Sequence, residues 1–249
     1  MNEQEFALGQ SYNHSSSKDF YRMTIKNNLM DIHNRIDKAS TTQSVQLLAV
    51  SKTFGVEAIA EAIDAGERRF GENYVQEGVE KIRYFNEAMP HVGLEWHFIG
   101  PLQSNKTRLV AEHFDWVQSI DREKIARRLS EQRPSRLPAL NVLIEVNIDE
   151  QASKSGVSVH EVRALADVIL SLPNLRLRGL MAIPEPVADA EAKRRPLRAM
   201  KVLFEELKRE GYPLDVLSMG MSSDMLEAIE EGATMVRVGS AIFGERNYG

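Results

Sequence analysis

The sequence of 249 residues contains no cysteine, which excludes disulfide bonds, catalytic thiolates and cysteine-ligated metals. It also lacks any apolar run of the ~18 residues that a membrane-spanning helix needs, so we expect no membrane span. The basic excess of a typical nucleic-acid-binding protein is missing too, because the formal net charge is −5 and the pI is near 5.8. The six histidines form no His-Glu-x-x-His pattern, and we expect no metal site.

The N-terminal segment lacks the features of a secretory signal peptide, because no basic stretch is followed by an apolar one. Residues 9–17 are polar and aperiodic, and we interpret residues 1–22 as a loosely ordered extension. A helical periodicity opens at Met23. Its apolar positions are Ile25, Leu29, Ile32 and Ile36. The predicted domain therefore spans residues 23–249, and we expect a cytoplasmic monomer without a membrane or nucleic-acid partner.

From this helix onward, apolar strand patterns alternate with amphipathic helix patterns about eight times. Several strand patterns are nearly continuous apolar runs, which is typical of parallel strands buried on both faces. The strands are predicted at 46–51, 69–71, 94–99, 115–119, 140–146, 175–181, 216–218 and 234–238. The helices that follow them are predicted at 56–65, 74–87, 104–112, 121–132, 159–171, 190–210 and 224–231.

Repeated strand–helix units predict an α/β protein, and eight of them predict a single closed (β/α)8 TIM barrel. An open doubly wound sheet is the alternative. The count of eight and the absence of a Gly-x-Gly-x-x-Gly turn after the first strand favour the barrel. In such a barrel, the chemistry gathers at the C-terminal ends of the strands.

Lys52 is the first long polar side chain after the apolar run at residues 47–51. An amine held at the rim of an apolar core loses hydration, which favours its neutral form. A lysine of this kind is a nucleophile for aldehydes and forms Schiff bases. The alternative is an ordinary lysine at a strand end, whose ammonium group extends to water.

The loops after the seventh and eighth predicted strands have the components of a phosphate site. Gly220 and Gly239 allow the backbone to approach an anion closely, and Ser222 and Ser240 supply hydroxyl donors. The helices predicted to follow direct free N–H groups at the same place. The alternative for residues 222–224 is an ordinary helix N-cap.

A ligand with an aldehyde at one end and a phosphate at the other would span Lys52 and these loops, and pyridoxal 5′-phosphate has that shape. Arg237 stands two residues before Gly239 on the same strand face, which places it near the pyridine ring. An arginine at the pyridine nitrogen keeps that nitrogen unprotonated, because two cations repel each other. The ring is then a weaker electron sink. The alternative for Arg237 is an ion pair inside the barrel.

Six stretches of the sequence resemble the pyridoxal phosphate homeostasis protein family. They are Ala-Val-Ser-Lys at 49–52, Phe-Gly-Glu-Asn-Tyr-Val-Gln-Glu at 70–77, Trp-His-Phe-Ile-Gly-Pro-Leu-Gln-Ser-Asn-Lys at 96–106, Gly-Leu-Met at 179–181, Gly-Met-Ser at 220–222 and Val-Arg-Val-Gly-Ser-Ala-Ile-Phe-Gly at 236–244. The motifs are long and ordered, and the resemblance extends from about Met23 to Gly244.

The resemblance implies a barrel like the N-terminal domain of alanine racemase, with pyridoxal 5′-phosphate held as an internal aldimine on Lys52. It implies phosphate contacts from Ser222, Gly239 and Ser240, with Arg237 near the pyridine nitrogen. The full set of implied cofactor-binding residues is Lys52, Asn73, Met219, Ser222, Arg237, Gly239 and Ser240.

The family's role is to bind, buffer and deliver the cofactor in the cytoplasm without an assigned reaction. We therefore expect a carrier rather than an enzyme, with transient contacts to apoenzymes that use pyridoxal phosphate. Full alanine racemases pair the cofactor lysine with a tyrosine from a second domain of the partner subunit. This sequence ends at Gly249, soon after the last predicted strand, so we expect no such domain, and Tyr74 is the candidate substitute.

Three hypotheses stay open: a pyridoxal phosphate carrier, a racemase that uses the same cofactor, and a Schiff-base aldolase that acts on a sugar phosphate without a cofactor. Lys154 also lies in a stretch that matches the family. It is either a second lysine that receives or hands on the aldehyde, or a solvated loop lysine.

Overall fold

The computed structural model describes residues 17–152 and 154–246, and the side chains within these ranges from residue 25 onward. In the described residues, eight parallel strands form a closed barrel in which each strand pairs with the next and the eighth pairs with the first. The strands are β1 (Gln46–Val50), β2 (Arg69–Glu72), β3 (Glu95–Phe98), β4 (Trp116–Ile120), β5 (Leu140–Glu145), β6 (Leu175–Met181), β7 (Val216–Ser218) and β8 (Met235–Val238). The predicted (β/α)8 barrel is confirmed, since an open sheet has no pairing between β1 and β8.

Helices connect the strands around the outside of the barrel. They are α1 (Ser17–Ala39), α2 (Val56–Asp64), α3 (Val75–Ala88), α4 (Thr107–His113), α5 (Glu123–Gln132), α6 (Val162–Leu170), α7 (Ala190–Arg209), α8 (Met225–Glu230) and α9 (Ser240–Phe243). Short 3-10 turns precede α4 and α6. Among the residues that the structure describes, no helix combines the length and the apolar character needed to cross a membrane.

The first helix begins earlier than the sequence pattern predicts. α1 starts at Ser17 rather than Met23, so residues 17–22 belong to the helix and not to the predicted extension. The remainder of the predicted extension, residues 1–16, lies outside the described residues. The predicted apolar positions of α1, from Ile25 to Ile36, are buried, and α1 packs against α2, α8 and α9.

The strands are buried on both faces, which explains their nearly continuous apolar sequences. In β1, Leu48 and Val50 belong to the apolar cluster inside the barrel, together with residues such as Trp116 and Met181. Leu47 and Ala49 pack instead in the layer between the strands and the helices. This period-2 alternation divides the core into an inner and an outer layer.

Gly179 in β6 is required by the close approach of β7. Gly179 is in register with Val216, and a Cβ built on Gly179 would lie 1.7 Å from the carbonyl oxygen of Val216. No side-chain rotation relieves such a clash, because the neighbour is backbone. Any larger residue at this position therefore has to separate β6 from β7.

Replacing Gly179 tests this packing. We expect Gly179→Ala to lower the free energy of unfolding by roughly 3 kcal/mol, because overpacking against backbone forces the ladder apart. Urea unfolding measures the difference. The control is Gly211→Ala, where a Cβ meets nothing within 4 Å and only the φ of +98° opposes it. Its expected cost is about 1 kcal/mol. Equal losses in the two variants would contradict the clash.

Candidate functional site

A pocket of about 380 Å³ lies at the C-terminal ends of the strands, on the side of the barrel where β1 and β8 meet. This volume is within the range of roughly 300–1,000 Å³ that small-molecule sites occupy. Its lining includes these residues singled out from the sequence: Lys52, Asn73, Ser222, Arg237, Gly239 and Ser240. Sequence reasoning missed the remaining lining residues: Val50, Ile99, Ile183, Met221, Ser223 and Arg246.

Met219 is not one of the lining residues. It is fully buried in the outer core layer, between the strands and the helices. Ser218 points into the barrel, where its Oγ bonds Gln118, so the next residue along the extended chain points outward. Gly220 then adopts a φ of +100°, which changes the direction of the chain and brings Met221 to the pocket wall.

Lys52 lies in a tight turn immediately after β1. The N–H of Phe54 donates to the carbonyl oxygen of Ser51 at 3.1 Å, so Lys52 and Thr53 are the two central residues of this turn. Ser51 is fully buried, whereas the Lys52 side chain is half-buried and lines the pocket. The lysine is thus held at the boundary between the apolar barrel interior and the open mouth.

Hydroxyl groups from the loop after β7 and from the start of α9 line the same pocket as Lys52. Ser222, Ser223 and Ser240 are exposed residues that line the pocket. The alternative of an ordinary N-cap at 222–224 is wrong for the two serines, because α8 begins after Asp224 and has no side-chain cap bond. Asp224 instead accepts the N–H of Met221 at 2.7 Å, which stabilises the loop.

Gly239 brings the backbone close to the pocket wall. A Cβ on Gly239 would lie 3.2 Å from the carbonyl oxygen of Val50 and 3.0 Å from Nη2 of Arg246. A side chain at this position would therefore press on the end of β1 and on the arginine. Gly239 precedes α9, whose first residue is Ser240.

Arg237 is buried at the bottom of the pocket, with its guanidinium fixed by two neutral acceptors. Nη1 donates to Oγ of Ser218 at 2.7 Å and Nη2 donates to the carbonyl oxygen of Ala182 at 2.9 Å. These bonds do not form the interior ion pair that was the alternative for this residue. Burial lowers the pKa of Arg237 to about 10, so the side chain still carries its charge at neutral pH.

A chain of hydrogen bonds continues from Arg237 through the barrel interior. Ser218 Oγ donates to Oε1 of Gln118 at 2.7 Å, and Nε2 of Gln118 donates to Nδ1 of His97 at 2.9 Å. His97 Nε2 then donates to Glu95 at 2.7 Å. Burial lowers the pKa of His97, which keeps the imidazole neutral as this chain requires. The orientation of Arg237 is therefore set from the far end of the barrel.

A smaller side pocket of about 180 Å³ adjoins the main one and shares Asn73, Ile99 and Ile183 with it. Lys154 lines this side pocket rather than the main pocket. Its ammonium lies 2.8 Å from Oε2 of Glu185 and 3.6 Å from Oδ2 of Asp149. Lys154 is thus an ion-paired loop residue in the described structure.

Glu145, at the end of β5, is buried at the wall of the side pocket. Burial raises its pKa from 4.5 to about 7, and the nearby carboxylate of Asp121 adds to the rise while Arg237 opposes it. At neutral pH the carboxyl group is therefore balanced between its two protonation states.

Two buried polar atoms in the lining have no hydrogen-bond partner among the residues that the structure describes. They are Oδ1 of Asn73 and Nε of Arg246. Buried polar groups in folded proteins are nearly always paired with protein, water or ligand. An acceptor and a donor are thus available for a molecule that enters the main pocket.

The raised pKa of Glu145 predicts a pH dependence of stability. The folded protein retains this proton up to about pH 7, whereas the unfolded chain loses it near 4.5, so stability falls as the pH rises between these values. The shift corresponds to roughly 3 kcal/mol. Glu145→Gln removes this contribution, and urea unfolding at pH 5 and pH 8 is expected to show a smaller loss in the variant.

The control for this measurement is Glu131→Gln, which changes an exposed carboxylate on α5. We expect it to keep the pH dependence of the parent protein. If Glu145→Gln also keeps that dependence, the carboxyl group of Glu145 is ionised in the fold well below pH 7.

Comparison with known proteins places the chain among well-defined relatives. The family model described as "Alanine racemase, N-terminal domain" matches residues 23–247. The pyridoxal phosphate homeostasis protein of Vibrio cholerae is 59% identical over 230 residues, which cover 90% of this chain and 98% of that protein. The protein of the same name from Escherichia coli K12 is 56% identical, over 90% of this chain and 97% of its own length.

A solved structure is similar over the same region. PipY of Synechococcus elongatus, solved with PLP bound, is 35% identical and superposes with a TM-score of 0.78. The match covers 88% of this chain and 100% of PipY. The chain therefore belongs to the family of alanine racemase N-terminal domains and, within it, to the pyridoxal phosphate homeostasis proteins.

Proposed function

We propose that this chain binds pyridoxal 5′-phosphate in the main pocket and serves as a reservoir of the cofactor, without catalytic turnover. The observation that carries the proposal is the convergence of one lysine, three serine hydroxyls and one buried arginine on a single pocket. The names of the relatives and the cofactor bound to PipY support the same ligand.

The two ends of the cofactor match two walls of the pocket. Its aldehyde condenses with a primary amine, and its ring accepts electron density from the carbon next to the resulting nitrogen. In the proposal, Lys52 supplies the amine. Ser222, Ser240 and the backbone at Gly239 hold the phosphate, with Ser223 beside them.

Arg237 faces the pyridine nitrogen in this arrangement. Because its pKa is about 10, it remains a cation at neutral pH and only donates hydrogen bonds. A ring nitrogen that faces such a donor has to accept, so it stays unprotonated. This favours storage of the cofactor over carbanion chemistry.

The unpartnered polar atoms of the pocket fit the same ligand. Nε of Arg246 is a buried donor on a side chain that lies beside Gly239, and Oδ1 of Asn73 is a buried acceptor in the same pocket. Arg246 therefore joins the predicted residues as a candidate phosphate contact. Met219 is not retained as a contact, because its side chain lies in the outer core layer.

The lining favours a carrier over a racemase. A two-base racemase needs a second proton-transfer group opposite the lysine. Among the described residues of the main pocket, the only ionisable side chains besides Lys52 are the two arginines, Arg237 and Arg246. Tyr74, the candidate substitute base, is exposed and lines a separate pocket beside Gln103 and Lys106.

A reservoir of the cofactor also needs a location, an oligomeric state and proteins that receive the cofactor. We propose that the protein works as a monomer in the cytoplasm and hands the cofactor to apoenzymes in transient contacts. The large apolar side chains exposed in the described residues are spread over α1, α3, α6, α7, α8 and the loop after β6, which favours a monomer. The charged composition without cysteine suits a reducing compartment.

The role of Lys52 is tested by chemical trapping. We expect borohydride treatment of the protein mixed with pyridoxal 5′-phosphate to fix the cofactor's mass on the peptide that contains Lys52. Lys52→Ala should lose both the yellow colour and the fixed mass, while its thermal midpoint stays within a few degrees. Lys154→Ala in the side pocket is the matched control and should retain both.

Either of two results would remove this assignment. One is a fixed mass that persists in Lys52→Ala. The other is a wild-type protein that traps a sugar phosphate but never pyridoxal 5′-phosphate, which would favour the aldolase alternative. A chiral amino-acid assay at high protein concentration separates the carrier from a racemase.

The phosphate wall is tested by removing its hydroxyls. We expect Ser222→Ala together with Ser240→Ala to weaken cofactor binding about 100-fold, since each bond to a charged group contributes about 1.5 kcal/mol. Equilibrium dialysis measures the dissociation constant. Ser171→Ala, on the exposed end of α6, is the control. An unchanged constant in the double variant would place the phosphate elsewhere.

A further inference from the structure

A buried group of charges lies directly behind the turn that carries Lys52. Lys81 on α3 is only 6% exposed although it is a lysine. Its Nζ donates to the carbonyl oxygen of Ser51 at 2.8 Å, to Oε1 of Glu72 at 2.7 Å and to Oε1 of Glu77 at 2.7 Å. An ammonium group has three N–H donors, so all of them are used.

The contacts of this group reach the backbone on both sides of Lys52. The carbonyl of Ser51, in the peptide group before Lys52, accepts from Lys81 at 2.8 Å. The N–H of Thr53, in the peptide group after Lys52, donates to Oε1 of Glu77 at 2.6 Å. The Cα of Lys52 therefore lies between two peptide groups, and each of them is hydrogen-bonded to one member of the Lys81–Glu77 ion pair on α3.

The turn needs this support because it is strained. Thr53 has a φ of +69°, a conformation that is uncommon for a β-branched residue and is usually taken by glycine at the second central position of a turn. Such strain costs about 1–3 kcal/mol and persists only where the surrounding contacts enforce it. The bond from Thr53 N–H to Glu77 is a contact of that kind.

Stability alone does not account for a group of three charges of which two, on Lys81 and Glu72, are buried. Burying an ion pair removes hydration that the Coulomb attraction often fails to repay. Here one oxygen of Glu72, Oε2, is buried without a hydrogen bond to any residue in the described ranges, and burial raises the pKa of Glu72. We interpret the arrangement instead as one that fixes the conformation of the turn that carries Lys52.

We propose that Lys81 and Glu77 are a positioning pair that directs the amine of Lys52 at the cofactor's aldehyde. Neither residue lines the main pocket, so both act through the backbone of the turn and not through contact with the ligand. The proposal rests on the proposed function, because it assumes that Lys52 bonds covalently to pyridoxal 5′-phosphate.

The test separates covalent attachment from noncovalent binding. Pyridoxamine 5′-phosphate has the same ring and phosphate but carries an amine where pyridoxal 5′-phosphate carries the aldehyde. Its affinity therefore reports on the phosphate wall and the ring contacts alone. The fraction of pyridoxal 5′-phosphate fixed on Lys52 by borohydride reports in addition on the position of the amine.

Glu77→Ala is the main variant, since the Glu77 side chain is 29% exposed and water can replace it at Thr53. At limiting pyridoxal 5′-phosphate, we expect borohydride to fix less cofactor on Lys52 in this variant than in the wild type. The decrease should correspond to an apparent affinity about tenfold weaker, because a small misplacement of a reacting group strongly disfavours its reaction. The affinity for pyridoxamine 5′-phosphate should change less than twofold. Glu77→Gln keeps an oxygen for Thr53 N–H and should restore most of the covalent fraction.

Glu80→Ala, an exposed carboxylate on the same helix, is the matched control and should behave as wild type in both assays. Lys81→Met is a second variant. We again expect a smaller covalent fraction and a nearly unchanged affinity for pyridoxamine 5′-phosphate, together with a lower thermal midpoint.

Three outcomes would overturn the positioning role: an unchanged covalent fraction in Glu77→Ala, a parallel loss of affinity for both ligands, or no recovery in Glu77→Gln. A wild-type protein that never forms the covalent bond would instead defeat the proposed function itself.

Discussion

The ladder between β1 and β8 closes the barrel, and the candidate site exists only where this ladder ends. Leu48 is in register with Arg237 and Ala49 with Val238, so the chain leaves both strands at the same height. Lys52 and Gly239 consequently line one pocket, although they are far apart in the sequence. An open sheet of the same strands would place these residues at opposite edges.

The polar groups inside the barrel orient the side chains of the pocket more than they stabilise the fold. Arg237, Ser218, Gln118 and His97 form one directional series of hydrogen bonds that ends on Glu95. Each donor in the series fixes the next acceptor, so the guanidinium has one preferred orientation. Lys81 has a comparable effect on the opposite side of the pocket, where it holds the turn at Lys52. The guanidinium of Arg237 and the turn at Lys52 are thus both held by contacts from other elements of the barrel.

Much of the architecture was predictable because it follows from local patterns. β6 and β7 have the predicted limits, and the other strands differ from theirs by one residue at one or both ends. The start of α1 was missed, because Phe20 and Tyr21 are the only two residues at 17–22 with aromatic or apolar side chains, too few to show a helical period. The pocket residues that the sequence did not reveal were missed for other reasons. Ser223 and Met221 lie in a loop whose path depends on the positive φ of Gly220, and Arg246 reaches the pocket from beyond α9.

The sequence by itself determined the number of strand–helix units, the apolar faces and the position of a lysine at the end of β1, because each of these depends on neighbours within a few positions of the chain. Tertiary structure alone decided that Met219 turns outward, that Arg246 turns inward and that Lys81 supports the lysine turn from α3. The physical reason is that side-chain direction in loops and the pairing of buried charges depend on contacts between elements, and closure of the barrel creates those contacts.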